Sequence, residues 1–194
     1  VVAVLGAVAA CGGGNDGSGG SAASTTAAVG PVGPVATRPA PEGLPGVVAV
    51  PVAGADHVRG DVVYPTTPPA GGDHNAVWQN CGVYTTSITE EYAVHSLEHG
   101  AVWITYRGEL DASVRDRLQQ RARRDEHLLV SRLDDNPSPF VVTAWGRQLR
   151  LDAFDEAAIT AFVDTYGVDG PTIPEKGAPC SGGIGRAPDQ PLAR

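Results

Sequence analysis

His95-Ser-Leu-Glu98-His99 sets two imidazoles one helical turn apart with a carboxylate beside them, a face that can hold a transition metal. Upstream lie His57, in Ala-Asp-His-Val-Arg-Gly, and His74, in Gly-Gly-Asp-His-Asn, so four of the five histidines fall between positions 57 and 99. Zinc and copper(II) take imidazole readily and need three or four ligands at about 2.0–2.1 Å. The expected site therefore joins His95 and His99 to His74, with His57 as fourth ligand and Glu98, Asp73 or Asp56 orienting the rings. The chain has no methionine, which disfavours a thioether copper(I) site and leaves copper(II) or zinc as the cofactor.

Two other readings compete. The histidines could simply fasten an irregular Pro/Gly-rich loop to a helix by hydrogen bonds, making the domain a structural or interaction module with an envelope protein as partner. The five residues also satisfy the His-x-x-Glu-His pattern of inverted zinc peptidases, in which Glu98 would activate water. Gly100 follows at once, however, where such enzymes continue their helix, and the sequence offers no identifiable distal carboxylate. Ser96 lacks the Gly-x-Ser-x-Gly elbow that would expose a nucleophile and reads as an ordinary helix serine. No catalytic residue is assigned on these grounds.

The elements that must carry these side chains follow from periodicity. Val47–Val50 and Val62–Tyr64 are short β-prone runs, and Pro65 to His74 between them and Trp78 must be irregular, which puts His74 on a loop. Ser87 and Glu90 have capping-box spacing and Gly100 stands at a helix C-cap, bracketing a helix over about Thr89–His99. In a strand instead, His95 and His99 would lie about 13 Å apart and could not share an ion. Ala101–Tyr106 reads as a buried strand, and Asp111–Arg124 as a helix with Leu110, Val114 and Leu118 inward and a mixed-charge outer face. His127–Val130 is a further strand. Phe140–Trp145 and Gln148–Leu151 flank Gly146-Arg147 as a hairpin, and a helix capped by Asp152 and Asp155 runs to Gly167. This order implies an α+β domain with helices packed on a mixed sheet; a thioredoxin-like arrangement fits it, without that fold's redox chemistry because Cys-x-x-Cys is absent.

The ends bound the location. Val8-Ala9-Ala10-Cys11-Gly12, after an apolar start, looks like a lipobox, so residues 1–11 are expected to be the remnant of a signal peptide with Cys11 as the lipidated residue. A truncated membrane anchor with an incidental cysteine is the alternative. Residues 12–45, rich in Gly, Ser, Ala, Thr and Pro, cannot bury a core and are expected to be a disordered tether reaching roughly 30 Å or more. Residues 46–180 then form the α+β domain and 181–194 a disordered tail. With Cys11 lipidated, Cys81 and Cys180 remain as an even pair in an oxidising compartment and are expected to form a disulfide. The net charge of −8 argues against nucleic acid or a polybasic membrane patch and leaves small ligands, metal ions or a protein as partners; the membrane is expected only through the lipid anchor at Cys11, on the extracytoplasmic face.

Pro68-Pro69-Ala-Gly-Gly-Asp-His74, Trp78-Gln-Asn-Cys81-Gly-Val-Tyr84, Ala93-Val-His95-Ser-Leu-Glu98-His99-Gly-Ala-Val-Trp103 and Ala144-Trp145-Gly146 together resemble the domain of unknown function 3105 family, over roughly His57 to Tyr166. The resemblance implies an extracytoplasmic protein with an N-terminal anchor and a fold without an established activity. It also implies that the stretches holding His74, His95 and His99 belong to the family's defining pattern.

Overall fold

The computed structural model describes Val1, residues 38–39 and residues 43–187. The expected lipobox with Cys11, most of the expected tether and the end of the expected tail lie outside the described residues. Among the described residues no helix is long and apolar enough to cross a membrane.

Four strands carry the sheet: β4 (Val102–Tyr106), β5 (Leu128–Arg132), β6 (Phe140–Ala144) and β7 (Arg147–Leu151). Three short ones extend it: β1 (Arg38–Pro39), β2 (Val47–Ala49) and β3 (Gly82–Val83). The order is β1-β2-β7-β6-β4-β5-β3. β3, β5 and β4 are parallel, and β6, β7, β2 and β1 follow antiparallel, so the sheet is mixed as expected. α2 (Ala112–Ala122) links the parallel pair β4 and β5, and α3 (Glu156–Tyr166) follows the β6–β7 hairpin. A parallel strand-helix-strand unit, an antiparallel hairpin and a helix thus follow one another, as expected of a single α+β domain with helices on a mixed sheet.

Alternation along β4 divides the interior. Val102, Ile104 and Tyr106 point to one face, where Leu118 of α2 and Ile159, Phe162, Val163 and Tyr166 of α3 cover them. Trp103 points to the other, packed with Ala93, Val94 and Leu97 of α1 (Glu90–Glu98), Leu129, Trp145 and the Cys81–Cys180 pair. Both faces are buried, which is why β4 and the start of β5 read as unbroken apolar runs. The expected disulfide is formed, with Cα atoms 5.4 Å apart across a sequence separation of 99.

Several local expectations shift. Val62–Tyr64 is not a strand: among the described residues none pairs with it. Val62 N–H donates to Glu91 Oε1 at 2.9 Å and the Tyr64 hydroxyl to the Asp73 carbonyl at 2.9 Å. Thr89, not Ser87, is the N-cap of α1, and no side chain closes a capping box there. Asp155 alone caps α3, accepting from Ala158 N–H at 3.0 Å, while Asp152 stays in the preceding bend. The hairpin turn is Trp145-Gly146, one residue earlier than expected, because Ala144 pairs with Arg147 and Gly146 takes the left-handed φ of 69°.

The boundaries of order also move. Arg38–Pro39, inside the expected tether, pairs with β2. Residues 181–187, expected to fray, are held: Gly183 N–H donates to Asn80 Oδ1 at 2.8 Å, Asn80 N–H to the Ile184 carbonyl at 2.8 Å, and Ala187 is buried. The disulfide brings this segment back beside β3, where its backbone groups find partners.

A candidate metal site beside α1

The imidazoles reach one place from three directions. α1 delivers His95, Glu98 and His99 on one face, by the spacing that suggested the site. The 65–74 loop delivers His74. Buried Gln148 holds that loop through Nε2–H to the Pro68 carbonyl at 2.7 Å, and Gly146 N–H does so to the Ala70 carbonyl at 2.7 Å. Gly71 and Gly72 make its final bend with φ of 133° and 122°, and a Cβ on Gly71 would come within 2.9 Å of Val52. His57 arrives on a neighbouring segment stitched to this loop by a bridge, with Val58 N–H on the His74 carbonyl at 2.7 Å and His74 N–H on the Asp56 carbonyl at 3.0 Å.

Three rings are fixed by main-chain carbonyls. Nδ1 of His74 lies 2.8 Å from the Gly72 carbonyl, Nδ1 of His95 2.7 Å from Asn75 and Nδ1 of His99 2.8 Å from Pro179. Each Nδ1 therefore carries the proton, and in the neutral ring each Nε2 keeps its lone pair. His74 Nε2 is fully buried, has no well-aligned hydrogen bond among the described residues, and lies 2.9 Å from Glu98 Oε2. Two lone-pair-bearing atoms at that distance require a proton or a cation between them. His57 Nε2 is 3.8 Å from the same carboxylate oxygen, on a side chain 46% exposed.

The residues fall into two groups of mutually close donors, each within 4.8 Å: His57, His74, His95 and Glu98, and separately His95, His99 and Glu175. The expected set of His95, His99, His74 and His57 is thus divided, with His95 common to both parts. Glu98, expected to orient a ring, stands among the donors. Asp73 and Asp56 act on the backbone instead: Asp73 Oδ1 accepts from Asp56 N–H at 3.0 Å, and Asp56 offers its carbonyl to His74. The groups that orient the rings are carbonyls, which sequence reasoning missed because every residue carries one. Glu175 was missed too. It sits in a Pro/Gly-rich stretch without a motif, held where its N–H meets the Glu98 carbonyl at the end of α1, at 3.1 Å.

Burial holds His95 neutral: it pushes the ring down to about 4, the bond to Asn75 opposing and the neighbouring imidazoles adding to the shift. Trp78 lies over His95 and His99, with centroids 5.6 and 5.0 Å away, and Trp145 meets His74 edge-on at 6.0 Å. Trp103 and Trp145 are core residues, whereas Trp78, only partly buried, roofs the imidazoles. His127 joins neither group; its Nε2 lies 3.0 Å from the Ala178 carbonyl.

For hydrolysis, Glu175 offers the distal carboxylate that a His-x-x-Glu-His peptidase needs with His95 and His99. Glu98 Oε2, which would have to act as base, is instead turned onto His74. Buried Ser96 donates its hydroxyl proton within reach of the Gln79 and Tyr92 carbonyls, at 2.7 and 3.1 Å, as an ordinary helix serine does.

Residues 57–182 match the model of a family described as a protein of unknown function (DUF3105). The matched stretch opens on His57 and takes in both donor groups and both cysteines of the disulfide. No curated protein and no solved structure matches the chain.

Proposed function

The chain belongs to the DUF3105 family, and we propose that it is a lipid-tethered extracytoplasmic domain that binds a divalent transition metal, copper(II) or zinc, through His57, His74, His95 and Glu98. The observation that carries this reading is the buried Nε2 of His74, which has no well-aligned hydrogen bond among the described residues and faces the Glu98 carboxylate at 2.9 Å, with two more imidazoles in reach. Three nitrogens and one carboxylate oxygen suit either ion. A tetrahedral ion with bonds of about 2.0–2.1 Å would draw the four donors to about 3.4 Å from one another. The exposed His57 ring is the member free to close that gap.

The competing reading, imidazoles that only tie down the loop, is favoured by the three carbonyl bonds of the rings. One substitution separates the two. His74→Asn keeps an N–H for the Gly72 carbonyl and removes the second nitrogen. A metal site loses affinity about 100-fold or more in this variant while the domain stays folded. A purely structural histidine leaves titrations with zinc and copper(II) unaltered, and wild-type protein that binds neither ion more tightly than micromolar refutes the reading.

The tether and its location rest on the lipobox ending at Cys11 and on the Cys81–Cys180 disulfide, a bond that persists in oxidising compartments. Cys11→Ala is expected to abolish fatty-acid labelling and release the chain from the membrane fraction. Retention of the variant in membranes would point to the apolar segment as the anchor instead.

A further inference from the structure

His95 is the hub of the cluster. Its ring centroid lies 4.8 Å from His57, 4.9 Å from His74 and 4.5 Å from His99. The residue belongs to both donor groups, yet its Nδ1 is committed to the Asn75 carbonyl at 2.7 Å. One nitrogen remains, and one lone pair binds one ion. We propose that His95, His99 and Glu175 form a second cation position, alternative to the first, so that a single divalent transition metal occupies one position or the other and moves between them by ligand exchange on His95. This inference rests on the metal-binding reading above.

The two positions differ in a way that gives the pair a use. The first offers three imidazoles and a carboxylate, enough to close a tetrahedral shell. The second offers two imidazoles and a carboxylate, which leaves one corner for water or for a ligand from outside. Its parts are unequally fixed. The His99 ring is buried and tied to the Pro179 carbonyl at 2.8 Å, whereas the Glu175 side chain is 52% exposed and 3.4 Å from His99 Nε2. A buried, tied imidazole with an exposed carboxylate suits an exchange position, and Trp78 lies over His95 and His99 beside it. An ion then leaves the four-donor position by substitution at His99 and Glu175, without passing free through solvent.

The test uses the full chain loaded with zinc, elemental analysis for stoichiometry, and stopped-flow transfer of the zinc to a chromogenic chelator. Wild type is expected to hold one ion. Glu175→Gln, a change at a half-exposed side chain, is expected to slow transfer about ten-fold or more. His57→Ala with His74→Ala should still take copper(II), more weakly, with a spin-resonance signature of two imidazole nitrogens. Two tightly held ions per wild-type chain, or transfer from Glu175→Gln at the wild-type rate, overturns the shared position and leaves the four-donor site standing. Wild type without zinc overturns both.

Discussion

Glu98 faces opposite demands with and without a cation. Its buried carboxylate lies against His74 Nε2 at 2.9 Å, where a bound metal would be satisfied and a metal-free pair is left short of a donor. Glu98→Gln supplies that donor, because an amide N–H can be given to the imidazole lone pair. The variant is therefore expected to weaken zinc binding about 10- to 100-fold while stabilising the metal-free protein by about 1 kcal/mol. Urea unfolding with a chelator present, beside zinc titration, reads both effects. A loss of metal-free stability would instead mark Glu98 as the counter-ion of a protonated His74. That Glu98 and the histidines share a face was legible, since positions three and four apart on a helix lie together. Which neighbour each side chain turns to was not, because that depends on the 65–74 loop and on the segment at Glu175. Both are placed by contacts far along the chain, from Gln148 and from the α1 C-terminus.

At the scale of elements, α1 begins on a strained note. Glu90 opens its first turn, where the helix dipole favours a carboxylate, yet burial pushes its pKa up to about 7, with Asp135 and Glu91 adding repulsion. The sign follows from proton counting. Between its ordinary value near 4.5 and about 7 the folded chain binds more protons than the unfolded one, so this contribution is fully present below about 4.5 and lost as pH rises through 7. Glu90→Gln removes the dependence: its melting temperature should gain on wild type as pH goes from 5 to 8, and a difference constant across that range would refute the assignment. The long elements of the fold were legible because β4, β5, the hairpin and α3 each carry a full period of apolar residues. β1 and β3 were not, being two residues long and defined only by the strands they join. Val62–Tyr64 shows the converse, where β-propensity alone yields no strand.

At the scale of the whole molecule, one covalent link joins the parts that the site needs. The Cys81–Cys180 bond spans a sequence separation of 99, and residues 179–187 run from it along β3 and Trp78. Closing so long a loop stabilises a fold by about 4 kcal/mol in the chain-entropy account. The link also sets Pro179, whose carbonyl orients His99, and lies close after Glu175. His74 and His95 depend on it less, since their carbonyl partners Gly72 and Asn75 precede Cys81. Replacing both cysteines by serine should therefore lower stability by about 4 kcal/mol and act unevenly on the donors. Below the new melting temperature, zinc held by His57, His74, His95 and Glu98 should persist, while exchange through His99 and Glu175 should lose its rate advantage. Chemical denaturation gives the first quantity and chelator-transfer kinetics the second. A double-serine variant with wild-type stability would mean that the tail's hydrogen bonds to Asn80 hold it without the bond. If zinc affinity fell together with exchange, the two groups of donors would be one mechanical unit.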